Sequence, residues 1–111
     1  MGYKNKIKWN ERQVFDASGL TTGYQTMAAA GWANAPIAIK IVNNSDMDVD
    51  VSFDGSTDHD FVATSSACVW DLRTNAYEDK AALAEATQVY LKASGAGTGN
   101  VYAIAIYQEK A

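Results

Sequence analysis

His59 and Cys68, the only histidine and the only cysteine in the sequence, are the residues best suited to nucleophilic catalysis. A catalytic thiol needs a nearby base, and histidine is the usual one. Trp70 and Leu72 follow Cys68 at every second position, so the three side chains share one face of a predicted strand. A thiol on that face lies in the core and behaves as a small apolar side chain. We therefore expect no catalytic residue and a protein that is not an enzyme.

Two runs of acidic residues, 46–50 and 54–60, have the carboxylate density of a calcium-binding loop. An EF-hand loop also requires glycine at its sixth position and glutamate at its twelfth. Counted from Asp46, those positions hold Val51 and Thr57, and the second run lacks the two residues as well. A calcium site of another type in the second run is the alternative to a solvated acidic turn. We expect neither a metal nor a cofactor.

The glycine-rich residues 95–99 are the third candidate, because glycine-rich loops can bind phosphate groups. Such a loop must lead into a helix whose N-terminus receives the phosphate. The residues that follow, 101–108, alternate with the period of a strand, and no Lys-Ser or Lys-Thr pair closes the loop. The segment is therefore predicted to be a hairpin turn.

Length and charge narrow the classes of function. The chain has 111 residues, which fits one domain, and its formal net charge is −4. A nucleic-acid-binding protein usually carries a basic face, so we expect no nucleic-acid partner. No stretch approaches the roughly 18 apolar residues of a membrane span, so we expect no membrane partner. The N-terminus lacks the apolar run of a signal peptide, and we expect synthesis in a cytoplasm.

Alternation of apolar and polar residues is the strongest indication of the elements that carry these side chains. In residues 47–53 it puts Met47, Val49, Val51 and Phe53 on one face of a half-buried strand. The same period predicts further strands near 37–43, around Cys68, at 88–94 and at 101–108. Turn residues at 43–46 predict that the first two strands form a meander, and the glycine-rich run predicts a final hairpin.

These elements together indicate an all-β fold. The last strand, 101–108, is apolar on both faces, which is typical of a central strand covered on both sides. Residues 76–86 have the best helix propensity and predict one short helix. Strands at short intervals indicate a β-sandwich or a small barrel. Of the two, we expect a single β-sandwich over residues 36–111, of immunoglobulin-like or jelly-roll-like type.

Residues 1–35 differ from the rest of the chain because they lack a steady period yet are rich in aromatic side chains. Such a segment favours an extended N-terminal arm that becomes ordered when it binds a partner. We therefore expect its aromatic residues to form an assembly interface. They are Trp9, Phe15, Tyr24 and Trp32.

Three segments carry a resemblance to a known type of protein. They are IKIVNNSDMDVDVSFDGSTDHDFV at 39–62, VWDLRTN at 69–75 and YLKASGAGTGNVY at 90–102. A strand ending in an Asn-Asn turn, a strand ending in Ser-Phe-Asp-Gly and a late glycine-rich hairpin resemble the small β-sandwich virion proteins of tailed bacteriophages. The resemblance covers residues 37–108.

The resemblance implies a structural protein of the virion, made in the cytoplasm of the host bacterium and present in many copies. It implies a capsid decoration or head–tail accessory protein whose partners are the major capsid protein or portal and tail proteins. The alternative is a carbohydrate-binding module that uses exposed tryptophan or tyrosine side chains.

Overall fold

The structure of the protein, a computed structural model, describes residues 5–71 and 87–110. The helix predicted at 76–86 lies outside the described residues. One turn of 3₁₀ helix spans Ala17–Gly19. The strands are β1 (Asn5–Trp9), β2 (Gln13–Asp16), β3 (Gln25–Thr26), β4 (Pro36–Ser45), β5 (Val49–Ser52), β6 (Asp60–Val62), β7 (Ser66–Asp71), β8 (Tyr90–Lys92) and β9 (Gly99–Lys110).

The strands form two antiparallel sheets that pack face to face, and the predicted all-β sandwich is confirmed. The large sheet has the order β1-β9-β4-β7, with β2 paired to β9 on the same side as β1. The small sheet has the order β3-β8-β5-β6. Strand β9 is central in the large sheet, as its sequence predicts, since β4 lies on one side of it and β1 and β2 on the other.

The core lies between the sheets and follows the predicted alternation. The large sheet contributes alternate residues of β4 and β9, among them Ile39, Ile41, Val101 and Ala103, and the small sheet contributes Val49, Val51 and Leu91; all of these residues are buried. Met47 and Phe53, predicted to share the face of Val49, are partly buried against the same core. Cys68 and Trp70 pack there too, in agreement with the predicted orientation of β7. Leu72, also predicted on that face, lies outside the described residues.

The predicted meander and final hairpin are wrong, because each of these connections crosses from one sheet to the other. β4 lies in the large sheet and β5 in the small sheet, so the two strands do not pair. β8 and β9 are separated in the same way. The predicted turn at 43–46 is in fact the end of β4, where Asn43 pairs with Val101 and Ser45 with Gly99. The chain turns only after Ser45.

The side chain of Asn43 stabilises the crossing from β4 to β5. Asn43 is fully buried, and its Nδ2 donates hydrogen bonds to the carbonyl oxygens of Met47, at 2.7 Å, and Val62, at 3.0 Å. Its Oδ1 accepts from the backbone N–H and the hydroxyl of Ser45. One amide thus hydrogen-bonds to polar groups of β4, of the crossing and of β6, as buried polar groups require.

The glycine-rich run forms the crossing from β8 to β9 and packs against the crossing from β4 to β5. The carboxylate of Asp46 accepts hydrogen bonds from the backbone N–H of Thr98, at 2.8 Å, and from its hydroxyl, at 3.1 Å. These bonds lower the pKa of Asp46. Gly99 has a φ of +93°, and a Cβ atom there would lie 2.3 Å from the carbonyl oxygen of Asn44. Glycine is needed at this position both for the backbone conformation and for the close approach.

Residues 5–35 belong to the sandwich, which corrects the division into an arm at 1–35 and a sandwich at 36–111. Strands β1 and β2 pair with β9, and β3 pairs with β8. Ala17, Leu20, Met27 and Trp32 are buried in the core. The segment shows no steady period because its strands are short and are separated by turns.

Replacement of Asn43 by alanine tests how much its side chain contributes to stability at the crossing from β4 to β5. The variant removes the Asn43 hydrogen bonds to the Val62 carbonyl and to the Ser45 N–H, while the Met47 carbonyl keeps a bond from the Ser45 hydroxyl at 3.1 Å. We expect the free energy of unfolding to fall by about 3 kcal/mol. Asn44→Ala, on the exposed side of the same strand, should change it by less than about 0.5 kcal/mol. Denaturant unfolding of the two variants measures the difference, and equal effects would contradict the role given to Asn43.

Candidate interaction surface

The four aromatic residues predicted to form one interface lie in different parts of the sandwich. Trp9, at the end of β1, is 70% exposed, whereas Trp32 is only 2% exposed and belongs to the core. Phe15 is partly buried against that core. Tyr24 is half-buried and contacts the small sheet through Lys92, whose Nζ lies 4.8 Å from the centre of the tyrosine ring. Trp9 alone of the four is largely exposed.

Trp9 lies on an apolar surface formed by the outer side of the large sheet, which we call the Trp9 face. Residues opposite each other on antiparallel strands point to the same side of a sheet. The register makes one row of Trp9, Ile106 and Ala38 and a second row of Ile104, Lys40 and Val69. A third row joins β2 to β4. The members of the face are Ile7, Trp9, Val14, Ala38, Lys40, Val42, Val69, Tyr102, Ile104 and Ile106.

The Trp9 face exposes more apolar surface than isolated surface residues do. Ile7 is 56% exposed, Val69 63% and Val14 45%. With Trp9 these side chains expose on the order of 400 Å², within the range of the largest patch on a typical monomer, which is often functional. An open groove of about 370 Å³ crosses the face, and its lining residues are Trp9, Ala38, Ile39, Lys40, Val69, Ile104 and Ile106.

The sequence of β9 indicates this surface, because apolar residues occupy both sides of the strand. Val101, Ala103 and Ala105 fill the inner side and are buried, in agreement with the pattern. Ile104 and Ile106 point outward, where the described part of the chain leaves them only half-buried. The expected cover on the outer side of β9 is therefore not found among residues 5–71 and 87–110.

Two basic side chains lie at the Trp9 face. Lys40 is exposed and is the charged residue among the described ones that line the groove. It forms no ion pair with any residue that the structure describes. The guanidinium carbon of Arg12 lies 4.8 Å from the centre of the Tyr102 ring, a cation–π contact at the edge of the same face.

The outer side of the small sheet is acidic, and we call it the Phe61 face. Phe61 is 54% exposed, and the register places it beside Asp50, which in turn lies beside Lys92. Next to Phe61 is a hollow of about 410 Å³ whose lining residues are Asp46, Met47, Asp48, Asp50, Phe61, Thr64, Ala93 and Ser94. Within the described residues, no group of three or more potential metal ligands is arranged to hold an ion.

At the far side of the Phe61 face, Asp58 joins a loop to the small sheet. Its carboxylate lies 3.0 Å from Nζ of Lys92 and accepts a hydrogen bond from the hydroxyl of Tyr24. The tyrosine and the lysine lower the pKa of Asp58, while burial and the Asp58 carboxylate raise the pKa of Tyr24. Lys92 is thus already paired, whereas Asp50 forms no ion pair among the described residues.

Ser52, Asp54 and His59 lie close together, but their hydrogen bonds build a turn. The Ser52 hydroxyl donates to Asp54, at 2.9 Å, and Nδ1 of His59 accepts from the backbone N–H of Phe53, at 3.0 Å. Asp54 also accepts from two backbone N–H groups of the turn, and these bonds lower its pKa. Activation of a serine requires a hydrogen bond from its hydroxyl to the base, and Ser52 has no such bond to His59.

The thiol of Cys68 lies beside Asp60, and His59 is directed elsewhere. Its Sγ is 3.7 Å from Oδ2 of Asp60, an atom that also accepts a hydrogen bond from the indole N–H of Trp70. Burial and the Asp60 carboxylate raise the pKa of Cys68. A raised pKa disfavours the thiolate, which is the nucleophilic form. The dyad considered from the sequence is therefore not assembled.

Comparisons with known proteins give no relative from which a function could be inferred. No protein family, no curated protein and no solved structure matches the chain. None of the described segments forms a helix with the length and hydropathy needed to cross a lipid bilayer.

The reactivity of Cys68 tests its position on the inner side of β7. Because the thiol is half-buried and its pKa is raised, we expect a thiol reagent to label it about ten times more slowly in the native protein than in denaturant. The matched control is Val69→Cys in a Cys68→Ser background, which moves the thiol to the exposed neighbouring position and should label rapidly. Equal native rates at the two positions would contradict the register of β7.

Proposed function

We propose that this protein is a non-catalytic structural protein of a bacteriophage virion, a capsid decoration or head–tail accessory protein. It binds an assembled lattice or ring in the virion, and the Trp9 face is a surface that this assembly buries. The observation that carries the proposal is the exposed apolar groove on the outer side of the large sheet, with Trp9 at its edge. The virion assignment itself rests on the sequence resemblance of residues 37–108 to small phage β-sandwich proteins, although the Asn-Asn segment ends a strand and the glycine-rich run forms a crossing here.

The chemistry of the groove fits a protein surface better than a glycan. An exposed tryptophan could stack on a sugar ring, but sugar hydroxyl groups also need hydrogen-bond partners beside it. Apart from Lys40, the described side chains that line the groove are apolar. Such a groove suits apolar side chains of a partner protein, in which a buried aromatic anchor gives much of the binding energy.

The size of the Trp9 face favours a partner with many copies. A standard protein–protein interface buries about 800 Å² on each partner, and the exposed apolar side chains here amount to roughly half of that. A single contact of this kind is weak. In a lattice or ring, each molecule makes several contacts at once, and their combination gives stable attachment.

The genes adjacent to the one that encodes this chain provide the first test. Neighbouring genes for a major capsid, portal or tail protein support the proposal. Neighbours that encode no virion component argue against it, and a glycan-binding assay of the isolated monomer would then test the alternative function.

Trp9→Ser and Val69→Glu test the binding surface. Both side chains are largely exposed, so the thermal midpoint of the variants should stay within about 3 °C of the wild type. Co-sedimentation with particles assembled from the neighbouring virion proteins should fall by about tenfold, because the anchor or the apolar contact is lost. Gln25→Ala, on the exposed edge of the small sheet, is the control. Unchanged co-sedimentation of both variants would contradict the proposal.

A further inference from the structure

We propose that the Trp9 face of one molecule binds the Phe61 face of a second copy, so that molecules of this protein associate head to tail. The inference rests on the proposed function in taking the Trp9 face as an assembly surface, and it names the partner of that surface. Lys40 in the apolar groove supplies one half of the contact, and Asp50 beside the exposed Phe61 supplies the other half on the second molecule.

The apolar halves of the contact complement each other. Phe61 is a large apolar side chain that is more than half exposed, although its neighbours on the small sheet are charged. It lies on β6, the edge strand of that sheet, and so can enter a groove on another molecule. The groove has a volume of about 370 Å³, and its lining includes the apolar side chains of Trp9, Ile104 and Ile106, against which a phenyl ring can pack.

The charged halves complement each other as well. Lys40 lines the groove and Asp50 lies opposite Phe61 on the neighbouring strand, and neither forms an ion pair within the described part of the chain. Cross-strand neighbours have Cβ atoms about 5 Å apart, so a Phe61 ring in the groove brings Asp50 near Lys40. The other carboxylates of the hollow are already engaged, since Asp46 accepts from Thr98 and Asp48 from the backbone N–H of Thr64.

The position of the two faces determines the symmetry of the assembly. They are the outer sides of the two sheets and therefore lie on opposite sides of the sandwich. A contact between different surfaces repeats from molecule to molecule and produces a closed ring or an open row. Two Trp9 faces in contact would instead bring two Lys40 side chains together, which like-charge repulsion opposes.

Charge reversal in the full-length chain tests the contact by analytical ultracentrifugation at low salt. Lys40→Glu and Asp50→Lys place like charges at every contact, and each should weaken self-association by roughly tenfold. An equimolar mixture of the two variants should regain wild-type association, because each face then meets a partner of opposite charge. Thr22→Lys, which adds a charge outside both faces, should have no effect.

Three results would overturn the inference. One is a wild-type protein that stays monomeric up to about 1 mM, a concentration that detects even weak contacts. Another is association that is insensitive to Asp50→Lys while Lys40→Glu weakens it, since the Phe61 face would then take no part. The third is a mixture of variants that does not recover. Loss of particle binding by Trp9→Ser in the same protein preparations would leave the proposed function standing in each case.

Discussion

The hydrogen bonds of the buried Asn43 side chain are the constraint on which the sandwich depends. A chain that crosses from one sheet to the other must leave backbone groups near the core, and unpaired groups there are costly. Asn43 satisfies carbonyl groups of the crossing and of β6 while remaining part of β4. The bonds between Asp46 and Thr98 then fix the crossing from β8 to β9 against the crossing from β4 to β5. Two of the connections that cross between the sheets are thereby tied to each other beside the core.

This arrangement also produces two outer faces of opposite character. Central strand β9 is apolar on both sides, so the large sheet presents Ile104 and Ile106 outward in addition to filling the core. The β5 strand alternates strictly, so the small sheet presents Asp50 outward. An apolar face with a central lysine and an acidic face with an exposed phenylalanine are the two surfaces that the proposed head-to-tail contact joins.

The sequence predicted the strands better than the connections between them. Alternation identified β4, β5, β7, β8 and β9, and for β5 and β7 it also identified the side that faces the core, because period two depends on residues that are adjacent in the chain. The residues around Asn43 and the glycine-rich run are compatible both with a hairpin turn and with a crossing between sheets. Contacts with residues distant in the chain, such as Val62 and Thr98, determine which of the two forms. The short strands before Pro36 carry no period, so the core position of Trp32 could not be distinguished from that of an interface aromatic such as Trp9. The outward apolar side of β9 was visible in the sequence, but its lack of cover was not.

Oxidation footprinting by mass spectrometry tests the central claim, that the Trp9 face is buried on assembly, most directly. The free protein and purified particles that contain it are exposed to the same dose of hydroxyl radicals, and Trp32 serves as an internal reference because it is 2% exposed. If the Trp9 face is buried on assembly, oxidation of Trp9 falls severalfold in the particle, while oxidation of Trp32 stays low in both samples. Equal oxidation of Trp9 in the free protein and in the particle would contradict that claim.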